Sequence, residues 1–192
     1  MKLYFIRHGQ TDWNIEGKIQ GSTDTELNST GIRQAKEMSR KVLEAQTPIS
    51  KIYSSRQKRA LQTAQILSDA IHVEYEITDG LEEVNLGAWE GLTWEEVSIR
   101  YPAEYEVWYH NRRYTKAPQG ESYQDMLDHV LAALHRIIKE NARDVAIVTH
   151  SAVIMCLQCL ITDTPFEQLL KFTTGNTHII EIDSSYLMPY FD

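Results

Sequence analysis

Short apolar runs alternate with amphipathic stretches along this chain. Residues 2–7 and 145–149 are the two clearest apolar runs, and each is typical of a strand buried on both faces. Residues 124–139 carry apolar side chains at helical spacing and form the clearest predicted helix. A second helix should begin near Thr30 and bury one face, made of Ile32, Ala35, Met38, Val42 and Leu43.

The complete pattern predicts an α/β fold. Because strands and helices alternate, we expect a mostly parallel central sheet within a single domain over residues 1–192. The irregular, aromatic segment at about 81–120 is predicted to be a helical insertion that covers one end of the sheet. Strands are expected at about 2–7, 49–54, 73–77, 145–149 and 177–182, where the last could be an antiparallel edge strand, and helices at about 56–70, 94–100, 103–110, 124–139 and 152–161, with a short one from Pro165.

Polar side chains follow both apolar runs directly. The first run ends in Arg7, His8 and Gly9, and the second ends in His150. Ligands bind at the carboxyl ends of strands in an open parallel sheet. Two histidines at such ends, with an arginine beside them, indicate a site for an anion that a histidine can attack.

Composition excludes several other classes of protein. The formal net charge of −8 argues against a general nucleic-acid binder, although local arginines can still bind a small phosphate. No apolar run approaches the length of a membrane span, so no membrane partner is expected. Met1 and Lys2 lead directly into the first predicted strand, so we expect no signal peptide and a cytoplasmic protein. Cys156 and Cys159 fit core packing in an apolar helix better than zinc binding.

An ordered series of motifs carries a family resemblance that covers nearly the whole chain. The series resembles the histidine phosphatase superfamily in its phosphoglycerate mutase-like branch, and it reads Arg7-His8-Gly9, Trp13-Asn14, Gln20-Gly21, Arg59-Ala60-Leu61-Gln62-Thr63-Ala64, Glu83-Val84-Asn85-Leu86-Gly87, Gly120-Glu121-Ser122 and Thr149-His150-Ser151. The resemblance implies a three-layer αβα sandwich, which agrees with the predicted order of elements. It also implies a small phosphorylated metabolite as partner. We expect neither a cofactor nor a metal ion, because the sequence has no carboxylate cluster with the placement of a magnesium site and no Gly-Lys-[Ser/Thr] loop.

The resemblance assigns roles to individual residues. His8 becomes the nucleophile and Glu83 the general acid, while Arg7, Arg59 and His150 clamp the phosphoryl group. The implied phosphate-binding set also includes Asn14, Gln20, Gly21 and Ser151, and Ser151 stands where the family usually has glycine. Ser22, Thr23, Glu26 and Tyr123 could line the rest of the pocket.

Two site assignments and the role of the aromatic insertion each have a competing interpretation. Arg56 competes with Arg59, but the family arginine directly precedes Ala60. Glu82 competes with Glu83, but the family acid stands four residues before Gly87. The aromatic insertion either packs a small core of its own, which we favour, or forms a lid whose Arg112 and Arg113 meet a second anionic group.

The predicted activity is a metal-independent phosphomonoester hydrolase that works through a phosphohistidine. A cofactor-dependent phosphoglycerate mutase is the alternative, because it uses the same residues and keeps the phosphoryl group instead of giving it to water. Mutases of the branch that the chain resembles usually have a longer segment after the acid, so the short segment between Gly91 and Gly120 favours the phosphatase. A catalytically inactive phosphate-binding module is disfavoured because His8 and Glu83 are both present. The sequence names neither the organic part of the substrate nor the oligomeric state.

Overall fold

The computed structural model describes residues 1–191. They form a five-stranded sheet flanked by helices on both faces. The strands, in chain order, are β1 (Lys2–Arg7), β2 (Lys51–Ser54), β3 (Tyr75–Ile77), β4 (Val145–Thr149) and β5 (Ile179–Asp183), and the helices are α1 (Asp12–Ile15), α2 (Ser29–Glu44), α3 (Lys58–Ile71), α4 (Trp94–Arg100), α5 (Pro102–His110), α6 (Tyr123–Glu140) and α7 (Ser151–Ile161). Short 3-10 helices lie at Gly87–Trp89, Phe166–Phe172, Ser184–Tyr186 and Met188–Tyr190.

The sheet order is β3-β2-β4-β1-β5, and only β5 runs antiparallel, along one edge. Alternate side chains of the central strands enter two separate cores, as the two-residue period of a strand requires. Leu3 and Phe5 join the core under α6 and α7, whereas Tyr4 and Ile6 join the core under α2 and α3. This arrangement is the predicted three-layer α/β sandwich with a mostly parallel sheet, and that prediction is confirmed.

Several predicted boundaries need correction. Ile32 and Leu43 on α2 are 39% and 52% exposed, so the buried face of that helix is narrower than predicted. The first loop contains α1, which the sequence analysis missed because the helix has only one turn. Thr11 caps it and exchanges hydrogen bonds with Asn14. Pro165 precedes a 3-10 helix rather than opening an α-helix.

The segment at 81–120 contains α4, α5 and a compact aromatic cluster. Trp108 lies 5.4 Å from Trp89 and 5.0 Å from Trp94 between ring centroids. Tyr105 contacts the same cluster at 6.1 Å from Trp108. The insertion therefore has aromatic packing of its own, as favoured from the sequence, and Trp94 also reaches the candidate site described next.

Candidate active site

The two histidines lie side by side at the carboxyl end of the sheet. Strands β1 and β4 pair in parallel, with Arg7 opposite Thr149, so the next residue of each strand is a histidine. The ring centroids of His8 and His150 are 5.3 Å apart, and both side chains are buried. The register of one strand pair therefore brings together residues that are far apart in sequence.

The hydrogen bonding of His8 defines its tautomer. Its Nδ1 lies 2.7 Å from the carbonyl oxygen of Gly9, which can only accept a hydrogen bond. Nδ1 must therefore carry the proton, and Nε2 keeps its lone pair. Burial, reinforced by the charges of Arg59 and Arg7, holds the pKa of His8 well below its ordinary value, so the ring stays neutral at physiological pH.

Backbone contacts hold His8 in place from three sides. The N–H of His8 donates to the carbonyl oxygen of Thr149 at 3.0 Å. The N–H of Gly9 donates to Oγ1 of Thr63 at 3.0 Å, and Nδ2 of Asn176 donates to the carbonyl oxygen of His8 at 3.0 Å. The histidine backbone is thus fixed by β4, α3 and the loop before β5 together.

Arg59 is a fully buried cation at the start of α3. Its Nη1 donates to the carbonyl oxygen of Thr23 and its Nη2 to that of Gly21, each at 2.8 Å, while its buried Nε has no hydrogen-bond partner among residues 1–191. Burial lowers the pKa of Arg59 to about 10, which still leaves it charged at neutral pH. Arg7, whose Nη1 donates to the carbonyl oxygen of Thr174, adds a second positive charge to the same pocket.

Glu83 places a carboxyl group in the wall of the same pocket as these cations. Its Oε2 accepts from the N–H of Ala152 and its Oε1 from the N–H of Val84, both at 3.1 Å. Burial raises the pKa of Glu83, although the two N–H groups and the charge of Arg59 oppose that shift. The direction of the shift favours a protonated carboxyl group, which can donate a proton to a leaving oxygen.

The first loop supplies polar groups that face the same pocket. Oδ1 of Asn14 accepts from the N–H of Thr11 at 3.0 Å, and Oε1 of Gln20 accepts from Oγ1 of Thr11 at 2.9 Å. Their amide nitrogens make no hydrogen bond to any protein group described between residues 1 and 191, so those N–H groups can donate to a ligand. Gly21 has φ +51°, and a Cβ atom there would lie only 2.1 Å from Oε1 of Glu90.

A cavity of about 210 Å³ collects most of the predicted site residues. The structure places eight of them in its wall, namely Arg7, His8, Asn14, Gln20, Gly21, Arg59, Glu83 and Ser151. Tyr123, expected to line the rest of the pocket, is also in the wall, whereas Ser22, Thr23 and Glu26 are not. His150 does not line this cavity either, and its Nε2 is 2.9 Å from Oγ of Ser55. Burial lowers the pKa of His150 well below its ordinary value, so this ring is also neutral.

The two competing residues lie together outside this cavity. Arg56 is exposed and forms ion pairs with Asp79 and with Glu82, the latter at 3.7 Å from Nε to Oε1. Glu82 also accepts a hydrogen bond from the N–H of Gly80 at 2.7 Å. This geometry agrees with the choice of Arg59 over Arg56 and of Glu83 over Glu82.

Two supporting residues were missed in the sequence analysis. Gln57 is buried and donates through Nε2 to the carbonyl oxygen of Gly21 at 2.8 Å, while its Oε1 accepts from the N–H of Glu83 at 3.0 Å. Glu90 accepts from the backbone N–H groups of Ser22 and Thr23 at 2.7 and 3.0 Å. Neither role leaves a signal in the pattern, because each links segments that meet only in the folded chain.

Other predicted features can be placed as well. Cys156 and Cys159 are free and buried in the core, as predicted. Within residues 1–191, no cluster of three or more histidine, cysteine, aspartate or glutamate side chains is arranged to hold a metal ion. No helix in that same range is both long and apolar enough to cross a membrane.

A family model described as the histidine phosphatase superfamily, branch 1, matches residues 3–186. The chain therefore belongs to that superfamily, and the family predicted from its ordered motifs is confirmed. Phosphoglycerate mutase-like protein 4 of Arabidopsis thaliana is 38% identical over 159 residues, which are 81% of this chain and 69% of that protein. Metal-independent phosphoserine phosphatase of the same plant is 31% identical over 183 residues, which are 93% and 76% of the two chains.

Comparison with longer relatives and with solved structures agrees with this membership. The chain is 32% identical over 167 residues to rat 6-phosphofructo-2-kinase/fructose-2,6-bisphosphatase 3, but it spans only 29% of that protein's length. The solved structure of Bacillus stearothermophilus YhfR has a TM-score of 0.84 at 31% identity, and the match covers 95% of this chain and 90% of that one.

Proposed function

We propose that this protein hydrolyses phosphomonoesters of small metabolites through a phosphohistidine formed on Nε2 of His8. The observation that carries the proposal is the hydrogen bond from Nδ1 of His8 to the carbonyl oxygen of Gly9, because it leaves the Nε2 lone pair available. The cavity that His8 lines also contains the cations of Arg7 and Arg59 and the carboxyl group of Glu83.

The first step transfers the phosphoryl group to the enzyme. The Nε2 lone pair forms a bond to phosphorus while the bond from phosphorus to the ester oxygen breaks. Protonated Glu83 gives its proton to that oxygen, and the alcohol leaves. Arg7 and Arg59 stabilise the charge on the three equatorial oxygens, which is the main demand of phosphoryl transfer. The amides of Asn14 and Gln20, the N–H of Gly21 and the hydroxyl of Ser151 would hold the same oxygens.

The second step returns the enzyme to its starting state. Glu83, now ionised, takes a proton from a water molecule, and that water attacks the phosphorus of the phosphohistidine. The bond from phosphorus to nitrogen breaks, inorganic phosphate leaves, and Nε2 regains its lone pair. His150 would join Arg7 and Arg59 in the phosphate clamp, because its neutral ring lies 5.3 Å from that of His8 between centroids.

The names of the relatives support a phosphatase and leave one competitor. One relative, of which the match covers 76%, is named a metal-independent phosphoserine phosphatase, and the name of another includes fructose-2,6-bisphosphatase. The mutase alternative keeps support from the Arabidopsis relative named as phosphoglycerate mutase-like. The two activities differ in whether water or a second alcohol receives the phosphoryl group from His8.

Replacement of His8 by alanine tests the proposal. We expect H8A to lose turnover of a panel of phosphomonoesters, while the wild type gives an acid-labile phosphoenzyme when a slow substrate is quenched. The matched control is His110→Ala, because His110 is exposed and forms its ion pair with Glu106 on its own helix, away from the cavity. Full activity of H8A would refute the assignment of the nucleophile.

A second assay separates the phosphatase from the mutase. 3-Phosphoglycerate is supplied with and without its bisphosphate primer, and both inorganic phosphate and the isomerised product are measured. We expect phosphate release that does not depend on the primer. Primer-dependent isomerisation with negligible phosphate release would identify a mutase instead.

A further inference from the structure

Asn176 lies in the turn before β5 and connects the candidate nucleophile to a predicted phosphate ligand. Its Nδ2 donates to the carbonyl oxygen of His8 at 3.0 Å and to Oδ1 of Asn14 at 3.3 Å. Asn176 does not line the candidate active site; it lines another cavity, of about 470 Å³, beside α2. It can therefore act on a bound phosphate only through the two residues that it holds.

The partners of Asn176 fix the orientation of two amide groups. A carbonyl oxygen can only accept, so the nitrogen of the Asn176 amide must face His8. The second hydrogen on that nitrogen then requires the oxygen of Asn14. The N–H of Thr11 donates to the same oxygen at 3.0 Å. Because two groups that can only donate hold the Asn14 oxygen, the Asn14 nitrogen is left for the cavity that this residue lines.

Backbone hydrogen bonds attach the turn itself to the end of β1. The N–H of Thr177 donates to the carbonyl oxygen of Arg7 at 2.9 Å, and the N–H of Arg7 donates to that of His178 at 3.2 Å. Thr177 has φ +57°, which is uncommon for a β-branched residue and persists where the surrounding structure imposes it. The turn therefore keeps Asn176 in a fixed place relative to His8.

A phosphoryl group makes the orientation of Asn14 decisive. Its oxygens carry negative charge and accept hydrogen bonds, so Asn14 must offer N–H groups to them. An Asn14 amide turned the other way would present its oxygen to the anion, which exchanges a charge-assisted hydrogen bond for repulsion. The donors on the far side of Asn14 thus decide what its near side offers.

We propose that Asn176 is a positioning residue that directs the amide N–H of Asn14 toward the phosphoryl group at His8. The inference rests on the proposed function, because it takes the phosphoryl group to lie beside His8 and Asn14 to bind it. Asn176 touches neither the substrate nor the reacting atoms, and its effect on phosphate passes through Asn14.

A double-mutant cycle with inorganic phosphate tests this dependence without any turnover. Calorimetry gives the dissociation constants of the wild type, Asn176→Ala, Asn14→Ala and the double variant. We expect N176A to raise the constant by about three- to tenfold when Asn14 is present and by less than about twofold in N14A. A merely structural role would weaken phosphate binding by the same factor in both backgrounds.

His178→Ala is the matched control for disturbance of the turn. His178 is exposed, lines the same cavity as Asn176, and makes no side-chain hydrogen bond within residues 1–191. We expect the dissociation constant of H178A to stay within about twofold of the wild type. Asn176→Asp repeats the cycle with a side chain of unchanged size, and its oxygens should draw the N–H groups of Asn14 away from phosphate.

Two further measurements report on the Asn14 amide directly. The side-chain amide protons of Asn14 should shift in the NMR spectrum when phosphate is added to the wild type, and much less in N176D. The carboxylate of Asn14→Asp still accepts from Thr11 and Asn176 but has no N–H for phosphate. N14D should therefore melt at or above the wild-type temperature and lose phosphate affinity by more than about tenfold.

Several results would overturn the inference. They are equal losses from N176A in the two backgrounds, unchanged phosphate affinity in N176A or in N14A, and a loss in H178A as large as in N176A. If the cycle showed the expected coupling and no phosphomonoester were hydrolysed, only the proposed function would fail. If esters were hydrolysed through His8 and the cycle showed no coupling, only the role of Asn176 would fail.

Discussion

Replacing Glu90 with glutamine should weaken phosphate binding although Glu90 touches no part of the proposed chemistry. The carboxylate accepts from the N–H of Ser22 at 2.7 Å, the N–H of Thr23 at 3.0 Å and the N–H of Leu86 at 3.1 Å, and it also accepts from both hydroxyls. The loop that it holds supplies the carbonyl oxygens of Gly21 and Thr23, which position Arg59. Weaker hydrogen bonds between residue 90 and this loop should therefore leave Arg59 less firmly positioned for phosphate.

The size of the effect follows from the donors that glutamine cannot serve. The amide oxygen of glutamine can still accept from the N–H groups of Ser22 and Leu86. Its NH₂ group then faces the N–H of Thr23, and two donors cannot form a hydrogen bond with each other. A hydrogen bond to a charged acceptor contributes about 1.5–3 kcal/mol, and the partial exposure of Glu90 selects the lower end. A loss of about 1.5 kcal/mol at the phosphate clamp raises the dissociation constant for phosphate by at most about tenfold.

Calorimetric titration with inorganic phosphate measures this effect without any turnover. Glu95→Gln is the matched control, because Glu95 lies on the same segment, is exposed, and makes no side-chain hydrogen bond to the protein within residues 1–191. We expect the dissociation constant of E90Q to rise and that of E95Q to stay within about twofold of the wild type. Unchanged phosphate affinity in E90Q would refute the argument that this carboxylate maintains the clamp.

Three further predictions concern the acid, the histidines and metal ions. Glu83→Gln should slow esters with poor leaving groups by about 10²–10⁴-fold and activated aryl phosphates much less, and a larger effect of Glu82→Gln in the same assay would show that the acid is misassigned. Because burial lowers the pKa of His8 and His150, the unfolded chain binds more protons than the folded chain below about pH 6.5. The free energy of unfolding should therefore fall as the pH drops below that value, by at most about 1.4 kcal/mol per pH unit for each histidine. Denaturant titrations at several pH values should show that the unfolding free energy of His8→Gln falls less steeply with pH than that of the wild type. Hydrolysis should continue in EDTA, because the proposed steps use only side chains and water. Loss of activity that a divalent ion restores would contradict this mechanism.

The sequence by itself determined the layers of the fold. Continuous apolar runs at β1 and β4 required strands covered on both faces, and the stripe on α6 required a helix packed on one of them. The ordered motifs determined the family, because they match over nearly the whole chain. They also singled out Arg59 and Glu83 from their charged neighbours Arg56 and Glu82, and the structure places those neighbours in an ion pair with each other.

Some predictions from local pattern were wrong for physical reasons. Ile32 and Leu43 have the spacing of a buried helix face, but the area that a helix buries depends on what packs against it. The one-turn helix α1 is too short to produce a period, and its capping residues are its only local signal.

Only the tertiary structure decided which groups act together. The register between β1 and β4 sets the distance between His8 and His150, and register is a property of two strands rather than of either run. Gln57 links the carbonyl oxygen of Gly21 to the N–H of Glu83, and these two residues lie in segments far from each other along the chain. The burial of Arg112 against Trp108 and Tyr109 is likewise invisible in the sequence, where Arg112 is one of two adjacent arginines. That burial arises from the three-dimensional arrangement, since it depends on which side chains surround the guanidinium.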